Sequence, residues 1–175
     1  MKPEILAEAE KYRQIIYDAS QTSGVFRASL IAAIIYRESL FGLALTPPGP
    51  GGTGDFAKRG PNKRLPGDDK GWGRGLMQID YQWHEFARIS NWMDPRENIF
   101  YGTQLLRGFY NAFFGDATIP KQLILPATLA AYNSGPGNVR KALKRGLDVD
   151  TYTAHADYSK EVLRRAQAFF DDGWV

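Results

Sequence analysis

Apolar positions along this chain fall at helical spacing in several stretches, and that spacing places the elements. Ile5, Leu6, Tyr12, Ile15 and Ile16 predict a helix over 3–20; a second follows over 26–40, where Leu30, Ile31, Ile34 and Ile35 gather on one face. Pro95 suits a first-turn position, and Ile99, Phe100, Leu105, Leu106, Phe109 and Phe113 supply the apolar face of a helix over 95–114. Pro126 opens a short apolar helix in PATLAAY, WHEFARI at 83–89 has helical character, and Tyr158, Val162, Leu163, Ala166, Phe169 and Phe170 mark a final helix. The opening MKPEILAEAEKYRQII mixes Glu4, Glu8 and Glu10 with its apolar residues. It therefore reads as an amphipathic helix rather than a basic leader before an apolar core, with any signal peptide expected to have been removed. No apolar run approaches the roughly 18 residues of a membrane span.

The helical pattern stops at residues 46–75, which hold nine glycines and five prolines. An interdomain linker is one reading, but only 45 residues precede the stretch, too few to fold reliably by themselves. We expect instead one domain spanning 1–175 with a Pro/Gly-rich loop insertion at about 46–74. GLMQID, 75–80, is short, apolar and preceded by a Gly-rich turn, which suits a small β-hairpin. The expected fold class is mainly α, α+β in detail, and the chain has no internal repeat.

Composition narrows the chemistry. With 175 residues and 43% hydrophobic content the chain can bury a sizeable core. It has no cysteine, which excludes disulfides, thiolate metal sites and a cysteine nucleophile. A net charge of +3 and a pI near 9.1 tilt it mildly toward anionic partners. Much of that charge sits in the loop, where Lys58, Arg59, Lys63, Arg64, Lys70 and Arg74 outnumber Asp55, Asp68 and Asp69. GWGRG matches neither the Walker pattern nor a G-x-G-x-x-G between strand and helix, so nucleotide binding is discarded. His84 and His155 lack metal-ligand spacing, and no G-x-S-x-G elbow is present.

Carboxylates remain. Glu38 is i+4 from Ile34 and i+3 from Ile35, within about 10° of the middle of the apolar stripe. An ionised carboxylate there loses water, which favours the neutral acid and prepares a proton donor near neutral pH. A structural glutamate paired with an arginine is the plainer reading. Asp68, Asp69 and Asp80 sit beside glycines or ahead of a helix, where turn and N-cap roles are common. One dry glutamate combined with wet, loop-borne aspartates nevertheless suits glycoside cleavage by inversion, which needs an acid and a base in different environments.

The blocks EKYRQII, RES at 37–39, GLMQID at 75–80, AYNSGPGNVRKA at 131–142 and DYSKEVLRRAQ at 157–167 follow one another in an order that resembles goose-type lysozymes and soluble lytic transglycosylases. The resemblance implies a lysozyme-like helical domain with a small hairpin or three-stranded sheet beside a cleft. It implies cleavage of the β-1,4 bond between N-acetylmuramic acid and N-acetylglucosamine in peptidoglycan. Position by position, Glu38 matches the catalytic acid, and Asp69 and Asp80, eleven residues apart, match two aspartates that hold or activate water. Gln78 and His84 match saccharide contacts, and Tyr132, Asn133 and Tyr158 match residues beside the acid. Two departures are the insertion between Glu38 and Asp69 and the missing disulfides of vertebrate members. An aspartate after GLMQI, where transglycosylases carry apolar residues and a proline, favours a hydrolase. The expected protein is a monomeric muramidase needing no metal or cofactor, with peptidoglycan strands as partner and neither nucleic acid nor membrane. It would work outside the cell, in the periplasm, or as a phage product released at lysis. A lytic transglycosylase giving 1,6-anhydro products and a catalytically silent wall-binding or virion module are the alternatives.

Overall fold

A computed structural model describes residues 2–59 and 65–175, so Lys63 and Arg64 lie outside the described residues. The element order is α1 (Pro3–Glu10), α2 (Arg13–Ser23), α3 (Ala28–Ser39), β1 (Thr53–Gly54), β2 (Gly73–Arg74), β3 (Ile79–Asp80), α4 (Phe86–Ile89), α5 (Pro95–Phe114), α6 (Ile124–Ser134), α7 (Pro136–Lys144) and α8 (Tyr158–Asp171). The architecture is mainly α with a small antiparallel sheet, as expected. No helix among the described residues is long and apolar enough to cross a membrane.

α3 is the axis of the main core. Its residues from Ala28 to Ile35 are all buried, so it is wrapped on every side rather than on one stripe. α8 and α2 pack against it. The expected first helix is two, because Lys11 and Tyr12 bond back only three residues, to Glu8 and Ala9. That tightening turns Tyr12 inward, where its ring stacks on buried Phe41. α6 starts at Ile124, ahead of Pro126, which still falls in the first turn where a missing N–H costs nothing. α7, which the periodicity did not single out, follows α6 after Gly135.

The sheet runs β1-β2-β3, with Thr53 opposite Arg74, Gly54 opposite Gly73, and Gly73 opposite Asp80. Only Ile79 and Asp80 of GLMQID are strand; Gly75 to Gln78 form the turn that joins β2 to β3. The Pro/Gly-rich stretch therefore supplies β1 and β2 themselves, and the connection between them is residues 55–72. Two anchors fix this sheet to the helices. Ser39 Oγ donates to the Leu76 carbonyl at 2.7 Å from the end of α3. From α5, buried Asn98 accepts the Met77 N–H at 2.8 Å and donates to the Arg74 carbonyl at 3.0 Å.

Candidate active site

Glu38 stands in the last turn of α3, which the buried run Ala28–Ile35 delivers to the floor of a cleft. Loss of water pushes its carboxyl from 4.5 up to about 7, against the opposing pull of the Tyr158 hydroxyl and the Arg37 charge. Its partner is not an arginine. The Arg37 guanidinium is taken by Glu161 and, at 3.1 Å, by Asp157, both on or just before α8. The hydrogen bond to Glu38 comes instead from the hydroxyl of Tyr158, a residue 1% exposed at the start of α8. Burial and the neighbouring Glu38 hold that phenol far above its ordinary range, so it stays a donor. Tyr158→Phe is expected to remove a bond that favours the ionised carboxylate, raising the Glu38 pKa above about 7. The alkaline limb of a pH–rate profile should then move to higher pH; an unmoved limb would disconnect that limb from Glu38.

The sheet contributes to the same cleft. The cleft encloses about 350 Å³ and is lined by Glu38, Gln78 and Asp80, by Tyr132 and Asn133, and by Asp55, Arg59, Gly73 and Ala154. At roughly 30 Å³ per water it has room for several. Gln78 has a left-handed backbone, φ 50°, and its Nε2 donates to the Gly75 carbonyl at 2.8 Å. Its amide oxygen then lies over β1 and β2 so closely that a Cβ on Gly54 or Gly73 would come within 2.3 or 2.2 Å of it. These glycines are required by space, and the Gly-rich pattern is here a seat for Gln78. Asp80, on β3, accepts the Gln82 N–H at 2.7 Å and the Arg59 Nη1 at 2.6 Å.

Helix α6 closes one end. The Tyr132 hydroxyl donates to the Met77 carbonyl at 2.8 Å, tying α6 to the β2–β3 turn, and burial keeps this phenol protonated as well. Asn133 accepts the Ala154 N–H at 2.8 Å through its side-chain oxygen, which leaves its amide NH₂ for the cleft. His84 stands behind this wall rather than in it. Its backbone N–H donates to the Asp80 carbonyl at 3.0 Å, and its ring packs edge-on to Tyr101 with Nδ1 3.2 Å from that hydroxyl. Burial lowers its pKa, only partly offset by Asp80, so it favours the neutral ring.

Asp69 is not brought to this cleft. It is exposed, with φ 56°, in a turn closed by its own N–H on the Pro66 carbonyl at 2.8 Å. Its neighbour Asp68 accepts both terminal nitrogens of Arg74, at 2.8 and 2.9 Å. Arg74 is fully buried and lies over Tyr81 and Trp92 at 4.6 and 5.3 Å. Two of the loop cations, Arg59 and Arg74, are thus spent on aspartates rather than offered to solvent. Sequence reasoning passed over Asp55 and Arg59 as cleft residues. A pairing of TGD with GWG across the first two strands would have been the signal.

Larger cavities among the described residues do not set a raised carboxyl beside paired aspartates in this way. One of about 470 Å³ beside Phe26, Leu30 and Phe170 contains no carboxylate. One of about 730 Å³ has Asp116 as the one carboxylate in its lining, held down to about 2 by Thr118 and Arg140. The candidate site is therefore the cavity in which the raised Glu38 carboxyl and the cation-paired Asp55 and Asp80 share one lining.

Comparison with known proteins points to one family. A family model described as lysozyme g matches residues 4–173. Lysozyme g of Struthio camelus is 32% identical over 172 residues, covering 97% of this chain and 71% of the relative. Lysozyme g of Gallus gallus is 31% identical, with 97% and 68% covered, and that of Cyprinus carpio is 30% identical, with 97% and 78% covered.

Proposed function

The chain belongs to the lysozyme g family and is a glycoside hydrolase, and on that premise we propose that it cleaves the β-1,4 bond between N-acetylmuramic acid and N-acetylglucosamine with inversion. What supports this reading is that a proton-holding Glu38 and a cation-paired Asp80 line one cleft. Glu38 gives its proton to the glycosidic oxygen as the bond to the anomeric carbon breaks. Tyr158 then donates its hydrogen bond to the carboxylate left behind, stabilising the charge that forms there. Asp80 accepts a proton from a water that attacks the anomeric carbon from the other face. Inversion asks for roughly 6.5–9.5 Å between the two carboxyl groups so that this water fits. Gln78 and the Asn133 amide hold the sugar by hydrogen bonds in this reading, with the His84 backbone N–H bracing the Asp80 carbonyl from behind. The protein would act outside the cytoplasmic membrane, where peptidoglycan lies.

A lytic transglycosylase uses the same acid, but muramic acid's own hydroxyl takes the place of water. A general base on the far wall has little use in that chemistry, and Asp80 therefore favours hydrolysis. Mass spectrometry of digested peptidoglycan is expected to show muramic acid with a free reducing end, heavier by one water than the 1,6-anhydro sugar. Dominant anhydro product would overturn the hydrolytic step and leave Glu38 in place.

A further inference from the structure

Residues 55–59 form the first arm of the connection between β1 and β2, and three contacts fasten this arm to Trp72. The Trp72 backbone N–H donates to the Asp55 carbonyl at 2.9 Å, and its indole N–H donates to the Ala57 carbonyl at 3.1 Å. The Arg59 guanidinium lies 4.8 Å from the ring centroid. Trp72 is itself buried and packs edge-on to Tyr81. Arg59 therefore reaches the cleft on a braced arm. There its two terminal nitrogens are divided, Nη1 to Asp80 at 2.6 Å and Nη2 to Asp55. Both aspartates line the cavity that Glu38 lines.

We propose that Arg59 is a positioning residue for the glycosidase reaction: by bridging Asp55 and Asp80 it fixes the carboxylate that works opposite Glu38 and adds Asp55 to the water-holding wall. The inference rests on the hydrolase reading above. Asp80 has one oxygen held by the Gln82 N–H and the other by Arg59, so the guanidinium determines where the second oxygen points. With Arg59 removed, two carboxylates would share one wall with no cation between them, and like-charge repulsion would spread them apart. A base displaced by about 1 Å loses on the order of a hundredfold in rate while the sugar is still bound. Arginine is the fitting residue because its planar fork serves two acceptors at once; a lysine ammonium is a point charge on a shorter reach. The same pair does little for the fold, since partly exposed ion pairs of this kind contribute little to stability.

The test is kcat and KM on soluble peptidoglycan fragments, with thermal melting, for the wild type, Arg59→Gln and Arg59→Lys. Arg59→Gln is expected to lower kcat about ten- to a hundredfold, with KM within about threefold and the melting temperature within a few degrees. Arg59→Lys is expected to recover part of kcat. A kcat within twofold of wild type in Arg59→Gln, or a loss seen only in KM, would overturn the proposal. If Arg59→Gln does not fold, Arg59→Lys decides: a kcat reduced several-fold at unchanged KM supports the bridge, and a wild-type kcat overturns it. A wild type without turnover would sink the hydrolase reading together with this one, whereas an active wild type beside an unimpaired Arg59→Gln would sink this one alone.

Discussion

Replacing Glu38 with glutamine is expected to leave a folded protein whose turnover on peptidoglycan has fallen by at least about two orders of magnitude, the usual scale for losing a positioned acid. The amide matches the carboxyl in shape and keeps an acceptor for the Tyr158 hydroxyl, so the cleft should hold its form. What it lacks is a proton to give. The same substitution has a second readout in stability. Burial raises the Glu38 pKa from 4.5 to about 7, so the folded state binds this proton more tightly than the unfolded chain does. Stability associated with the neutral acid is full below about 4.5 and is lost as pH rises toward about 7, in total on the order of 3 kcal/mol. Above 7 the loss is complete and the slope ends. Glutamine cannot ionise, so the variant's melting temperature should gain on the wild type's between pH 4 and pH 8. Rates and melting curves at those two pH values check both halves. Lysis near the wild-type rate would remove Glu38 from the chemistry, and parallel melting curves would remove the burial argument for its pKa.

Asn98→Ala is expected to be the most damaging single change to the fold around the site. Asn98 is fully buried on α5 and holds three backbone groups at once: the Met77 N–H at 2.8 Å, the Arg74 carbonyl at 3.0 Å and the Trp92 carbonyl at 3.1 Å. Alanine leaves all three without that partner in a dry interior. Each unmet group costs about 1–3 kcal/mol, and a shared loss is less than additive, so a total of about 3–4 kcal/mol is reasonable. That lowers the folded-to-unfolded ratio by two orders of magnitude or more and the melting temperature by roughly 10 °C for a chain of this size. Activity should suffer before unfolding does, because Arg74 precedes and Met77 lies within the turn that holds Gln78 and leads into Asp80. Thermal melting with KM measured well below the transition checks this. A melting temperature within about 2 °C of wild type would mean that other groups hold the β2–β3 turn.

The contacts of Asn98 with Arg74 and Met77 are non-local, and no pattern along the chain records them. Helical spacing is a local property, so the apolar runs at 26–40, 95–114 and 158–170 indicated α3, α5 and α8 to within a residue or two. Glu38 was legible for the same reason: its place on the stripe follows from 3.6 residues per turn, and the raised pKa follows from burial. The sequence alone also carried the ordered blocks that resemble one family. It did not show that α3 would be enclosed on all sides, since that depends on what α2 and α8 bring to it. It could not show that Arg37 would be taken by Glu161 and Asp157, leaving Tyr158, 120 residues away, to bond Glu38.

The aspartates divide along the same line. Asp80 was placed by its fixed offset from GLMQ, two residues past a glutamine whose own seat needs Gly54 and Gly73. Asp69 was placed by its eleven-residue offset from Asp80, and an offset along the chain does not say whether the turn it falls in faces the cleft. The pairing of Gly54 with Gly73 brings Asp55 to the cleft, while Asp69 lies in the exposed turn closed on the Pro66 carbonyl. Strand pairing is non-local: which residues of a Gly-rich stretch become neighbours is decided by ladder register and by close approach to Gln78, and no periodicity along the chain records either. The sequence determined most of the helices, the place of Glu38 on the apolar stripe and the family; tertiary structure decided which carboxylates share the Glu38 cleft and which cation holds them, because those partners meet only when the sheet closes.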